Sequence, residues 1–310
     1  MQRFLEALTR HGPNLLAFTA VLGLAWPKLA ELAAPVMPVA IFLLILGSLL
    51  RVDAGKFRQF MTRPMAGLAL ALLLMLPAPL LVGFLAQFAG LTPELVLALV
   101  LATAAPPSIG NAALARMLRL NDTLALVVTM ATMALAPLTV PLVGLLFGGL
   151  ALDPLTVALR LLALVGGAAC LALPLRRYAA AAIERQGPLL DALLLAALLV
   201  FALSAMVGLQ AKLLAEPFIV LGLVALAYGV NLSLQALGAL FLPGTPAERG
   251  AGALLLGNRN VGLIWSAIGN TISPTTALYF AAAQLPIYTL PRLLQALLTR
   301  QRRTAFTVRP

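Results

Sequence analysis

The segment Gly257-Asn258-Arg259-Asn260-Val261-Gly262 places two asparagines and an arginine in the middle of a hydrophobic stretch long enough to cross a bilayer. A guanidinium without a partner at that depth costs about 2.5–3.5 kcal/mol on insertion scales. Membrane proteins keep irregular backbone and polar side chains at such a depth only where they are buried in protein or line a cavity. The segment therefore predicts a broken membrane-spanning helix and a binding site at the break.

The composition agrees with a membrane protein. Of the 310 residues, 62% are hydrophobic and only 10% are charged, whereas about a quarter of a soluble domain is charged. The net charge of +11 does not predict a nucleic-acid partner, because the basic residues lie in short loops between apolar stretches, as in proteins that keep positive loops on the cytoplasmic side. A single cysteine, Cys170, excludes an intramolecular disulfide and a cysteine-rich metal site.

About twenty apolar residues are needed to cross the hydrocarbon core, and ten such stretches are predicted. Their ranges are 13–33, 36–51, 64–88, 92–118, 122–148, 154–175, 187–208, 216–242, 245–271 and 273–298. With a cytoplasmic N-terminus, nearly all Lys and Arg residues fall on the cytoplasmic side. Only Lys28 and Lys212 fall on the opposite side, and Arg160 and Arg259 fall within spans. This asymmetry predicts an integral membrane protein with both termini in the cytoplasm.

The ten spans divide into residues 1–151, with spans 1–5, and residues 152–310, with spans 6–10. Because five is odd, the second set has the inverted topology. The fourth span of each half is interrupted, at 105–111 (Ala-Pro-Pro-Ser-Ile-Gly-Asn) and at 257–260. Matching interruptions in two halves are typical of inverted-repeat transporters with a site at the membrane midplane. The expected fold is therefore all-α and polytopic, with ten spans in two inverted five-helix repeats and helices 4 and 9 broken.

These residues resemble the bile acid:sodium symporter (BASS) family. The segment Pro106-Pro107-Ser108-Ile109-Gly110-Asn111 is similar to the family's Pro-Gly-Gly-Thr-Ala-Ser-Asn crossing point. Asn121-Asp122, Leu124-Ala125-Leu126, Thr129 and Ala136-Pro137-Leu138 resemble its fifth helix. Asn260-Val261-Gly262-Leu263 resembles its Asn-Ser-Gly-Leu in the ninth. The resemblance implies a panel domain (spans 1, 2, 6 and 7), a core domain (spans 3–5 and 8–10), and spans 4 and 9 that cross at their breaks. It also implies sodium-coupled transport of organic anions and, through the family's bacterial members, a place in a bacterial inner membrane.

The sequence departs from the family at the sodium ligands. Leu255 stands where the family has a glutamate, Arg259 where it has a glutamine, and Ala125 where it has a serine. The family's glutamine in the third helix falls in the apolar run 70–76, and only Asn111 (or Ala112, depending on the gap) and Thr129 are retained. A cation about 4 Å from a guanidinium is repelled by roughly 4 kcal/mol at an effective dielectric of 20. We therefore predict that Arg259 replaces sodium, so that neither sodium nor another cofactor is required.

The expected site residues fall into two sets. Those expected to face the substrate are Arg259, Asn260, Asn258, Asn111, Ser108 and Gln284. Those expected as the remnant of the cation site are Asn111, Thr129, Asn258 and Arg259; no metal site is expected. Arg259 suits either a built-in cation bracing carbonyl ends or a direct clamp on a substrate anion. The asparagines have the alternative of bridging the broken backbone, and the Thr129 hydroxyl has that of bonding within its own helix. Arg160, in the sixth span, has the alternative of extending its guanidinium to the membrane interface.

The predicted function is alternating-access transport of a small organic anion through a uniport or exchange mechanism. One alternative is a sodium symporter with a rebuilt site, and another is a channel or a non-transporting sensor on the same fold. An enzyme is not expected, because the sequence carries no paired carboxylates, no Ser/His/Asp set, no nucleotide-binding Gly-Lys-Ser motif and no cluster of metal ligands.

Overall fold

A computed structural model describes residues 12–51, 55, 64–148, 153–269 and 272–307 of the chain. Helices make up 87% of these residues, and no strand occurs among them. The α-helices in chain order are α1 (Gly12–Ala25), α2 (Pro27–Ala33), α3 (Met37–Leu50), α4 (Pro64–Met75), α5 (Pro77–Phe88), α6 (Pro93–Ala104), α7 (Asn111–Met117), α8 (Asp122–Gly148), α9 (Pro154–Tyr178), α10 (Ala180–Arg185), α11 (Gly187–Ser204), α12 (Leu209–Ala215), α13 (Pro217–Phe241), α14 (Pro246–Gly257), α15 (Val261–Ile268) and α16 (Pro274–Thr307).

Six helical stretches of the described residues are long and apolar enough to cross a membrane. They are Pro27–Leu50, Gly67–Phe88, Asp122–Gly148, Pro154–Tyr178, Gly187–Ala215 and Pro217–Phe241. Large apolar side chains such as Phe88, Phe218 and Phe241 stand exposed on them, as expected for surfaces that face lipid. The chain is therefore an integral membrane protein built from α-helices.

Most predicted boundaries agree with the helices. The fifth predicted span and α8 have the same limits, and the sixth and eighth spans agree with α9 and α13 to within a few residues. Proline stands in the first turn of many helices, including α5, α6, α9 and α14, because its fixed φ suits that position and its missing N–H is not needed there. Asp153 caps α9 by accepting hydrogen bonds from the N–H groups of Leu155 and Thr156, both at 3.2 Å. The side-chain hydrogen bond from Thr156 lowers the pKa of Asp153 below its usual value.

The predicted boundary between the first two spans, at 33–36, is wrong. The helical backbone breaks at Trp26 (φ −130°, ψ 80°), and Pro27–Leu50 continues as one helical stretch through a 3-10 turn at Ala34–Val36. The break falls at Trp26 because a residue that precedes proline is disfavoured in the helical conformation. Several basic residues that are predicted to lie on the cytoplasmic side, in 1–11, 56–63 and 308–310, fall outside the described residues. The side of the membrane on which the termini lie therefore stays a prediction.

The helices form two groups that also contact each other, through α8 with α9 and through α15 with α3 and α9. In the first group, α11 contacts α1, α2 and α3, and α9 contacts α3. In the second group, α13 contacts α14 and α16, while α8 contacts α4 and α6. A separate apolar cluster, which includes Leu74, Ala125, Val128 and Leu255, fills the space between α4, α8, α13 and α14. The two broken segments described below belong to the second group.

Gly238 allows the closest approach of α13 to α14. A Cβ atom built at Gly238 would lie 2.7 Å from the Cα of Ala253, a distance that neither backbone can accommodate without moving. We expect Gly238→Ala to lower the stability of the protein by about 1–3 kcal/mol, the usual cost of overpacking, seen as a lower apparent melting temperature in detergent.

Gly229→Ala on the same helix is the matched control, because a Cβ at Gly229 would meet nothing within 4 Å. That variant should melt at the parental temperature or slightly above it, since alanine favours helix. Equal melting of the two variants would contradict the close contact.

Candidate functional site

The breaks in the two interrupted segments lie against each other. Residues 105–110 separate α6 from α7, and residues 258–260 separate α14 from α15. The breaks form an antiparallel bridge between Pro107 and Arg259. The N–H of Ser108 donates to the Asn258 carbonyl at 2.8 Å, and the N–H of Asn260 donates to the Pro106 carbonyl at 2.7 Å. This pattern needs only a carbonyl from Pro106 and nothing from Pro107, so two adjacent prolines, which lack N–H groups, cost the bridge no hydrogen bond.

The guanidinium of Arg259 lies between the carboxyl ends of α6 and α14. Its Nε donates to the Leu256 carbonyl at 2.9 Å, and its Nη1 donates to the Ala105 carbonyl at 3.2 Å. Only 3% of Arg259 is exposed. The last carbonyls of a helix have no partner within the helix, and they form the negative end of its dipole. Arg259 therefore supplies donors and positive charge where two negative helix ends meet.

Two asparagines donate hydrogen bonds to further carbonyls at this crossing. Asn111 Nδ2 donates to the Asn258 carbonyl at 3.0 Å, and Asn231 Nδ2, from α13, donates to the Gly257 carbonyl at 2.9 Å. Gln235 Nε2 in turn donates to Asn231 Oδ1 at 2.6 Å and so orients that amide. The close approach of α13 requires glycine at 257, because a Cβ there would lie 2.4 Å from the Gln235 side chain and 2.9 Å from the Asn231 carbonyl oxygen.

Several polar atoms at the crossing lack a protein partner. Among the described residues, Asn111 Oδ1, both amide atoms of Asn258, and Arg259 Nη2 are buried without a hydrogen bond. Such atoms are uncommon in folded proteins and often mark places where a site binds water, an ion or a ligand group. The crossing thus retains unused donors and acceptors at the break of both segments.

The space beside Arg259 is small. A cavity of about 30 Å³, lined by Thr103, Asn231, Arg259 and Tyr279 among others, holds about two water molecules. Pockets for organic ligands are typically about 300–1,000 Å³. In this conformation the guanidinium is therefore placed to neutralise carbonyls, and an organic anion cannot reach it through this cavity.

The accessible part of the crossing is formed by other predicted residues. Ser108 and Asn260 are half-buried, and Gly110 is exposed with open space where a Cβ would be. The Asn260 side chain caps α15 by accepting a hydrogen bond from the N–H of Leu263 at 3.3 Å. A ligand that reaches the crossing in this conformation would meet these residues first.

Two predicted site residues bond within their own helices. The Thr129 hydroxyl donates to the Ala125 carbonyl at 2.8 Å, and Gln284 Nε2 donates to the Phe280 carbonyl at 3.4 Å. Both side chains are buried. The hydrogen bonds of the crossing therefore link Asn258 to Ser108 and Asn111, Asn260 to Pro106, and Arg259 to Leu256 and Ala105. They do not extend to Thr129 or Gln284.

The positions at which the family resemblance places sodium ligands are apolar and packed. Leu255 and Ala125 are both 0% exposed and belong to the apolar cluster between α4, α8, α13 and α14. No group of three or more His, Cys, Asp or Glu side chains able to hold a metal ion occurs in the part of the chain that the structure describes. The oxygen atoms available near the crossing are those of amides, hydroxyls and the backbone.

Asn231 and Gln235 are not among the site residues expected from the sequence. The structure nevertheless gives Asn231 a hydrogen bond to the carboxyl end of α14. The available signal was the four-residue spacing of Asn231 and Gln235, which places two amides on one face of a helix.

No protein-family model matches the chain, and no curated protein sequence matches it. The function has to be inferred from the chain's own residues.

Asn231→Leu tests whether the carbonyls of the crossing depend on side-chain donors. The variant leaves the buried Gly257 carbonyl without its partner, and we expect a loss of about 1–3 kcal/mol in stability, measured as a lower apparent melting temperature. Ser233→Leu, at an exposed position of the same helix, is the matched control and should not lower it. A melting temperature for Asn231→Leu equal to that of Ser233→Leu would contradict this role of Asn231.

Proposed function

We propose that this protein is a secondary-active or facilitative transporter that moves an organic anion across a membrane by alternating access, without sodium. The observation that carries the proposal is the pair of hydrogen bonds from the buried Arg259 guanidinium to Leu256 and Ala105. These bonds put a permanent positive charge at the meeting point of two broken segments.

A cation is needed at that point whatever its source. Two helix ends with negative partial charge converge there, away from water, and positive charge next to a helix carboxyl end is stabilising. In the family that the sequence resembles, a bound sodium ion with a carboxylate ligand would meet this need. Here Leu255 offers no carboxylate and Arg259 is always charged, so the site is occupied by its own cation throughout a transport cycle.

The proposed fold is that of the BASS family, with ten spans in two inverted repeats, residues 1–151 and 152–310. The proposed division is into a panel of α1–α3, α9 and α11 and a core of α4–α8 and α13–α16. Helices pack within each set, and α8 against α9 and α15 against α3 and α9 form contacts between the two sets. The core carries both broken segments. Movement of the core against the panel would expose the crossing first to one side of the membrane and then to the other. We place the protein in the bacterial inner membrane with both termini in the cytoplasm.

The proposed substrate is a small carboxylate, or a sulfonated or amphipathic acid. Ser108 and Asn260 would contact it, since they are the accessible polar residues of the crossing. Arg259 would act on it mainly through its electrostatic field, because its side chain is buried and two of its donors are occupied. Asn111 would orient the backbone of the break through its hydrogen bond to the Asn258 carbonyl.

One observation favours a second candidate, a sodium symporter with a rebuilt cation site. The buried oxygens Asn111 Oδ1 and Asn258 Oδ1 have no hydrogen-bond partner among the described residues, and amide oxygens are suitable ligands for hard cations. The fixed charge of Arg259 opposes this candidate, because two unit charges about 4 Å apart repel by roughly 4 kcal/mol at an effective dielectric of 20.

Uptake of labelled organic anions into proteoliposomes, with and without an inward sodium gradient, tests the proposed function. We expect uptake to be saturable and to show counterflow, and we expect its rate to be the same with and without the sodium gradient. Uptake that requires sodium would establish the second candidate instead. Flux without saturation or counterflow would contradict a carrier and favour a channel, and no flux of any anion in the panel would contradict transport.

Variants of Arg259 test the built-in cation. Arg259→Ala should abolish uptake, whereas Arg116→Ala, which removes an exposed arginine paired with Asp122, should retain it. The double variant Arg259→Gln and Leu255→Glu should regain uptake that depends on sodium, because it returns a carboxylate and removes the competing charge. Parental uptake in both Arg259 variants would show that Arg259 has no part in the mechanism.

A further inference from the structure

Arg160 joins two helices that are far apart in the sequence. It lies in α9, and its Nη1 donates to the carbonyls of Ala267 at 3.2 Å and Ile268 at 3.0 Å. These are the last carbonyls of α15. The chain then turns at Gly269, which has φ 67°, and a Cβ built there would lie 3.1 Å from Arg160 Nη1. The guanidinium therefore caps the carboxyl end of α15, where the helix dipole favours a cation.

The same side of α15 packs closely on α3 and α11. A Cβ built at Gly262 would lie 2.4 Å from the Phe201 ring and 3.0 Å from Cδ1 of Ile41. Ser266 follows Gly262 by four residues and precedes Gly269 by three, so all three lie on one face of the helix. The hydroxyl oxygen of Ser266 is buried and has no hydrogen-bond partner among the residues that the structure describes. A closed seam therefore runs along α15, from Phe201 at one end to Arg160 at the other.

We propose that Arg160 is a latch that holds this seam closed. This inference rests on the proposed function, in which α15 belongs to the moving core and α3, α9 and α11 belong to the panel. In the described conformation Arg160 makes hydrogen bonds across the seam. Opening the seam breaks both bonds and leaves the carboxyl end of α15 without its cap. Arg160 thereby sets the balance between the closed and the open conformation at this end of the protein.

Arg176 provides a matched comparison on the same helix. Its Nη1 donates to the Leu49 carbonyl, in α3, at 2.9 Å. The bond has the same chemistry as those of Arg160, but it joins two helices of the proposed panel, and those helices do not separate when the core moves. Loss of Arg176 should therefore leave the seam closed.

The test is the reaction of a cysteine at position 266 with a maleimide reagent, in purified protein in lipid nanodiscs that leave both faces accessible. The background is Cys170→Ser, which removes the exposed native thiol, and Ser266→Cys is nearly isosteric. With Arg160 present the thiol should react slowly. With Arg160→Ala it should react at least about tenfold faster, the effect of about 1.4 kcal/mol on an opening equilibrium. Arg160→Lys should give an intermediate rate, and Arg176→Ala should give the parental rate.

A second reporter separates opening of the seam from unfolding. Thr132 lies in α8 and is 0% exposed, so Thr132→Cys should stay unreactive with Arg160→Ala. Reaction at 132 as well as 266 would mean general loosening and would overturn the latch, as would equal rates at 266 for Arg160→Ala and Arg176→Ala. The labelling needs no transport substrate. A faster rate at 266 in a protein that transports no anion would therefore support the latch while the proposed function fails.

Discussion

The structure depends on how the carbonyls of two broken helices are satisfied inside a membrane protein. A helix that stops within the hydrocarbon region leaves its last carbonyls without partners, and lipid offers no donors. Here Ser108, Asn111 and Asn231 each supply one N–H group, and Arg259 supplies two. The backbone bridge at Pro107 and Arg259 fixes the relative position of the two breaks. Without these donors the carbonyls at the two breaks would be left without partners.

The same arrangement explains why a guanidinium is tolerated at this depth. Desolvation disfavours the charge, but two converging negative helix ends, with the carbonyls of Leu256 and Ala105, surround it with favourable partial charge. A site that already contains a cation has little to gain from binding another. For this reason we propose that the protein transports its substrate without sodium. At the other end of α15, Arg160 likewise places a guanidinium at a helix carboxyl end and donates to its last carbonyls.

Much of the fold could be predicted because its signals are local. Apolar stretches of sufficient length gave the limits of α8, and Pro106-Pro107 and Asn258-Arg259-Asn260 marked both breaks, since proline and a buried charge each disrupt a membrane helix. The boundary of the first two spans was misplaced because apolar residues continue through Trp26, so hydropathy alone showed no gap there. The break follows from Pro27, a backbone effect that composition does not register.

The site was harder to predict because its bonds join residues that are distant in the sequence. The types of Arg259, Asn258 and Asn111 indicated a polar crossing, but nothing in one sequence shows that Asn231 reaches the Gly257 carbonyl or that Arg160 reaches α15. Both side chains read equally well as helix-bridging or interfacial groups. Thr129, by contrast, bonds within its own helix, as serine and threonine commonly do. The hydrogen-bond partner of a side chain depends on how the helices pack, and residue type alone does not determine it.

The central claim is that Arg259 takes the place of a bound cation. Its most direct test is the apparent melting temperature of the purified protein as sodium chloride replaces choline chloride at constant ionic strength. A ligand at 100 times its dissociation constant stabilises the folded state by about 2.7 kcal/mol, so a sodium site would raise the melting temperature in a saturable way. The account predicts no difference between the two salts, and a saturable stabilisation specific to sodium would contradict it.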